Sequence, residues 1–163
     1  MQIDSAAQST WGAPIGAWDY TEDVTEVAFN DLGGYRELCL RFWGIQHDAG
    51  GTDTVIAQVG TESGWGVTGY SSIGNGTVTT AGITMQNTAQ AASIVFNGVF
   101  YFREFNNADQ ETFMEGATGI PQGSGGVRAG TRGVAEVNDR LRITVNSGAA
   151  NIAAGHVRLY GRR

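Results

Sequence analysis

Near the end of the chain, Leu141, Ile143 and Val145 alternate with Arg142, Thr144 and Asn146. A small-residue stretch, Asn146 to Gly155, comes next and reads as a turn or loop. Beyond it Val157 and Leu159 alternate with His156, Arg158 and Tyr160. A period of two sends successive side chains to opposite sides of an extended backbone, so each run buries one face and wets the other. That pattern excludes a helical end to the chain and sets what the rest must pair with.

The same period runs from Tyr35 to Gln46. Leu38, Leu40, Phe42 and Gly44 fall on one face, and Cys39, Arg41, Trp43 and Ile45 on the other. Apolar groups on both faces predict a central strand. Further strands are read over 54–59, 93–105, 112–114 and 130–137. Over 21–32, Val24, Val27, Ala28 and Leu32 fit a helix face, whereas Val27 and Phe29 fit a strand, which the Thr and Val content favours. Asn97-Gly98 is either a type I′ hairpin pair or a bulge.

The connections are rich in glycine: 25 of 163 residues, about twice the usual share, against only 2 prolines. Loops are expected at Asp48–Asp53, Thr61–Gly69 and Gly116–Gly126, with a sparse Gly/Thr/Ala/Asn segment over 74–90. Eight or so strands at intervals of roughly ten residues give an all-β fold, an antiparallel β-sandwich of jelly-roll-like form with glycine-rich loops. One domain over 21–163 is expected. Residues 1–20, carrying Trp11 and Trp18 around Pro14, read as an irregular arm whose tryptophans need burial on the sandwich or on a neighbouring subunit.

The net charge is −6, and all ten basic residues are arginine. An acidic chain without a basic stripe is a poor partner for phosphate backbones, so no nucleic-acid binding is expected. No secretory leader and no apolar run of membrane length is present, so synthesis in a cytoplasm without membrane insertion is expected. The single Cys39 lies in Leu-Cys-Leu and reads as a buried thiol.

The sequence offers no catalytic constellation. His47 and His156 are too isolated for a metal cage, and His47-Asp48 with Asp53 lacks the spacing of a calcium loop. Glu62-Ser63-Gly64 has no companion histidine, and Glu104, Asp109, Glu111 and Glu115 read as a solvated acidic turn. No enzyme activity, metal or cofactor is expected. Trp65, Tyr70 and Phe113, by contrast, lie near glycines where flat rings can be offered to a sugar, and they are the candidate ligand-binding residues.

From about residue 24 to 161 the order of these pieces resembles a family of bacteriophage virion surface proteins, the head or tail fibre and spike type. The matching landmarks are Phe29 before Tyr35-Arg-Glu-Leu-Cys-Leu-Arg, the Val55–Val59 return, a loop ending on Tyr70, and the aromatic run Phe100–Phe105 before Asn106-Asn107. The closing Val157-Arg-Leu-Tyr-Gly161 is the most specific. The resemblance implies a virion location, other virion proteins as partners, self-association, most simply as a homotrimer, and attachment to a host-surface polysaccharide. Trp11 and Trp18 would then make particle or subunit contacts. A decoration protein without a receptor is the rival reading.

Overall fold

The computed structural model describes residues 11–73, 80–86, 90–120 and 125–163. Residues 1–10 of the expected arm, most of the sparse segment over 74–90 and residues 121–124 of the expected loop lie outside the described residues. Fourteen strands are described in order: β1 (Gly16–Asp19), β2 (Glu26–Phe29), β3 (Glu37–His47), β4 (Thr52–Asp53), β5 (Val55–Thr61), β6 (Gly64–Trp65) and β7 (Tyr70–Ile73). They continue with β8 (Ile83–Thr84), β9 (Gln90–Ala91), β10 (Phe96–Arg103), β11 (Glu111–Gly119), β12 (Gly125–Ala135), β13 (Arg140–Val145) and β14 (Ile152–Arg162).

A seven-stranded sheet has the order β1-β14-β3-β10-β11-β12-β7, and a five-stranded sheet β2-β13-β5-β6 has β8 also on β5. Strand pairing among the described residues is antiparallel, from Gly16↔Leu159 at one edge to Gly130↔Ser72 at the other. β2 pairs with β13 in the small sheet, and β3 with β14 in the large one. Both connections therefore cross between sheets side by side, which is the winding of a jelly roll. The expected all-β antiparallel sandwich is the fold of this chain.

The core lies between the sheets and obeys the period-two reading. Leu141, Ile143 and Val145 meet Val27, Phe29, Val55, Ala57 and Val59 from their own sheet. Facing them are Leu38, Leu40, Phe42, Phe100, Phe102, Val157 and Leu159, all buried.

Ile45 departs from the alternation. It joins Leu38, Leu40 and Phe42 in the core rather than facing outward with Arg41 and Trp43. Gly44 adopts φ of 70°, and the registers against both β10 and β14 slip beside it. One extra residue on β3 is a β-bulge, which inverts the parity beyond it. Gly155, at φ 122°, lies opposite, where a Cβ would meet Ile45 at 2.6 Å. The Gly44 N–H donates to Asn97 Oδ1 at 2.7 Å, so Asn97-Gly98 belongs to this irregularity inside a continuous β10 and not to a hairpin turn.

Two other expectations are revised. Residues 16–19 of the arm form an edge strand, and residues 116–119 extend β11 where a loop was expected. The edge strands β1, β2 and β7 have 4 residues each, and β6 and β8 have 2. Short edges offer little template for strand-to-strand aggregation.

Candidate functional site

The outer face of the seven-stranded sheet carries one exposed ring, Trp43, and several half-buried ones, Trp11, Tyr101 and Phe113. On β3 the outward residues include Glu37, Cys39, Arg41 and Trp43, and their neighbours on β14 are Arg162, Tyr160, Arg158 and His156. On the other side Tyr101 pairs with Cys39 and with Glu115, while Arg103 pairs with Phe113. Such a face would ordinarily be polar, yet here rings and ion pairs alternate.

A cleft of about 150 Å³ opens where Trp11 folds back over this face. The Trp11 and Tyr101 rings stack with centroids 5.9 Å apart and planes 30° apart. Beside them Arg103 Nη2 lies 2.7 Å from Glu115 Oε1, and its Nη1 is 3.4 Å from Glu37. Arg162 Nη1 closes the network at 3.1 Å from Glu37 and sets its guanidinium 5.4 Å from the centre of the Trp11 ring. The adjacent Glu115 carboxylate, aided by Glu37, raises the Arg103 pKa. Two carboxylates and two guanidiniums thus neutralise one another around a stacked aromatic pair. Such a lining has acceptors and donors for hydroxyl groups and an apolar ring for C–H surface, with no net charge to favour an ion.

A second ring cluster lies further along β3. Trp43 is 41% exposed, and His156 stacks on it at 5.2 Å with planes 21° apart. Arg158 lies 5.3 Å from the centre of the same ring. Asp19 on β1 joins both side chains, 2.7 Å from His156 Nδ1 and 2.9 Å from Arg158. Hydrogen bonds from Arg158, then His156, hold the Asp19 carboxyl below the usual range.

The three rings expected to bind ligand do not come together. Tyr70 is 3% exposed, and its hydroxyl donates to the Val59 carbonyl and accepts the Val59 N–H. Burial pushes its pKa up to about 12. This ring is a core residue pinned across the sandwich, because its position at the start of β7 faces inward, and it has no surface to offer a ligand. Trp65 lies on the other sheet, capped by Arg142 at 4.7 Å and Arg140 at 5.6 Å from its ring centre. Only Phe113, half-buried on β11, shares the face of the cleft.

Trp18 is half-buried against the core, with Tyr20 edge-on at 6.4 Å. Trp11 rests on Tyr101. Both tryptophans therefore find their burial on their own sandwich.

His47, 2% exposed, is fully engaged: Nδ1 accepts the Ala49 N–H, so Nε2 carries the proton and donates to the Gln90 carbonyl at 2.9 Å. Among the described residues no group of three His, Cys, Asp or Glu side chains is placed to hold a metal. Cys39 is buried, and desolvation raises its pKa. No family model matches this chain, and no match to it is found among curated proteins.

Sequence reasoning missed the cleft because its residues come from five separate stretches, four of them brought together by the β3–β10–β11–β14 register and the fifth, Trp11, laid over them. The one available signal was the opposite charge of Arg103 and Glu115 on the two strands that flank the β10–β11 turn, where Glu115 is the diagonal neighbour of Arg103.

Proposed function

We propose that this chain is a non-enzymatic surface subunit of a phage or phage-like particle, a fibre, spike or decoration protein that attaches to a neutral host-surface saccharide. The saccharide binds in the Trp11–Tyr101 cleft. The observation that carries this reading is the stacked ring pair beside a self-neutralised Glu37–Arg103–Glu115–Arg162 network, which suits a polyhydroxylated, uncharged ligand. Each ring stacked on a sugar contributes on the order of 1 kcal/mol, by analogy with aromatic pairs. One site is therefore weak, and display in many copies supplies avidity.

Self-association, most simply as a trimer, accords with the rotational symmetry of fibres and spikes. Short edge strands direct subunit contact to other surfaces. Val67, Val134 and Val137, exposed by 54%, 41% and 48%, lie on two stretches joined by the Gly133 N–H to Gly69 carbonyl bond and offer an apolar one.

The test is a glycan array probed with the wild-type chain, pre-assembled to multiply weak contacts, and with Trp11→Ala. Neutral glycans should be retained by the wild type, with the signal reduced by about tenfold or more in the variant, the loss of one stacked ring multiplied across copies. Particle incorporation with no array signal would replace attachment by a purely structural decoration role.

A further inference from the structure

Two arginines of β12 point into the sandwich. Arg128, Gly130 and Arg132 are buried, while Val127 beside them in sequence is 77% exposed, so the even-numbered positions face inward. The chain answers Arg132 from within: Nη1 donates to Asn138 Oδ1 at 3.3 Å, and Glu136 forms an ion pair with it. Asn138 is 0% exposed and donates in turn to Thr112 Oγ1 at 2.9 Å.

Arg128 is treated differently. It is 2% exposed, and both Nε and Nη2 lack any hydrogen-bond acceptor. A guanidinium does not escape burial by losing its proton at ordinary pH, and an uncompensated buried charge costs several kcal/mol. Opposite it on β11 is Gly116, which has no side chain to give. The sequence stretches 74–79, 87–89 and 121–124 contain no Asp or Glu. No carboxylate of the described residues makes an ion pair with Arg128. The one acid outside them is Asp4.

We propose that Arg128 is the anchor of a buried site for a small oxyanion, bound through its Nε–H and Nη2–H pair. That edge of the guanidinium is the fork that matches two oxygens of a phosphate, sulfate or carboxylate. The anion completes the folded chain from inside and is independent of the saccharide cleft on the opposite face of the sheet.

Thermal unfolding of the full chain in sodium chloride, sulfate, phosphate or acetate at matched ionic strength tests the site, with Arg128→Met in parallel. Sulfate stabilises most proteins by exclusion from their surface, so the readout is the difference between the two chains. A ligand at about 100 times its Kd should raise the wild-type Tm by roughly 5–10 °C, with saturation, and leave the variant on the general trend. Gain in sulfate and phosphate alone identifies a tetrahedral anion, and gain in acetate alone a carboxylate. Parallel, unsaturating rises in both chains overturn the proposal. Should Arg128→Met fail to fold, equilibrium dialysis of the desalted wild type against labelled sulfate and then labelled acetate decides the matter. One anion retained per chain supports the site, and none overturns it.

Discussion

The two ends of the seven-stranded sheet solve burial in opposite ways. Over β14, β3 and β10 the inner face is apolar apart from His47 at the end of β3, with Leu38, Leu40, Phe42, Phe100, Phe102, Val157 and Leu159 closing against the small sheet. Over β11 and β12 the inner face carries Thr112, Thr118, Arg128 and Arg132, with Asn138 beside them. The first end draws its stability from non-directional apolar burial. The second depends on finding a partner for every donor, since an unmade buried hydrogen bond costs more than a made one contributes. The difference shows where a chain can be cut and where it can be tuned: the dry end resists rearrangement, and the polar end fixes a register or awaits a ligand.

Phe100→Ala strikes the dry end hardest. The ring is 0% exposed and packs 5.5 Å from Phe42, so its loss should cost about 3–5 kcal/mol in urea unfolding. A cost under about 1 kcal/mol, below the usual range for a buried ring, would mean that the two ends do not differ in the way described.

Asn138→Ala probes the polar end. It removes the acceptor of Arg132 and the donor to Thr112, and should cost about 1–3 kcal/mol. Asn138→Asp should recover part of that loss, because its carboxylate restores the acceptor for Arg132. Equal losses in both variants would make Asn138 a packing residue only.

The smallest effect comes from an exposed turn. The Asn151 N–H and side-chain amide lie 2.6 and 2.7 Å from Asp48, and these bonds hold its carboxyl below the ordinary value. A depressed folded pKa contributes stability above the unfolded value of about 3.9, lost as pH falls through the folded one. Acid unfolding of Asp48→Ala should therefore show a shallower slope below about pH 4 than the wild type. Superimposable slopes would remove the turn from the acid response.

Much of the fold was legible because period-two alternation is a local property. The strands at Leu38–Phe42, Leu141–Val145 and Val157–Leu159 needed nothing beyond their own residues. Ile45 was not legible, since one glycine at positive φ inverts the parity of the residues after it and nothing adjacent marks the change. Tyr70 was misread because a ring next to Gly69 looks available, while its burial depends on Val59 eleven residues earlier. The cleft was the least legible: Trp11, Glu37, Tyr101 and Arg162 meet only through strand order. Cross-strand register is a non-local quantity, and no spacing along one chain encodes it.

The proposed ligand face is the outer side of the seven-stranded sheet around Trp11, and not the Trp65 turn. The four tryptophans sit at four places: Trp11 in the cleft, Trp18 against the core, Trp43 further along β3 and Trp65 under two arginines on the other sheet. Their indole N–H signals in a two-dimensional NMR spectrum, assigned by single Trp→Phe variants, report each place separately. Titration with a glycan retained on the array should move the Trp11 signal most and leave Trp18 and Trp65 in place. Movement of the Trp65 signal with Trp11 unchanged would put the saccharide on the Trp65 turn and leave the cleft empty.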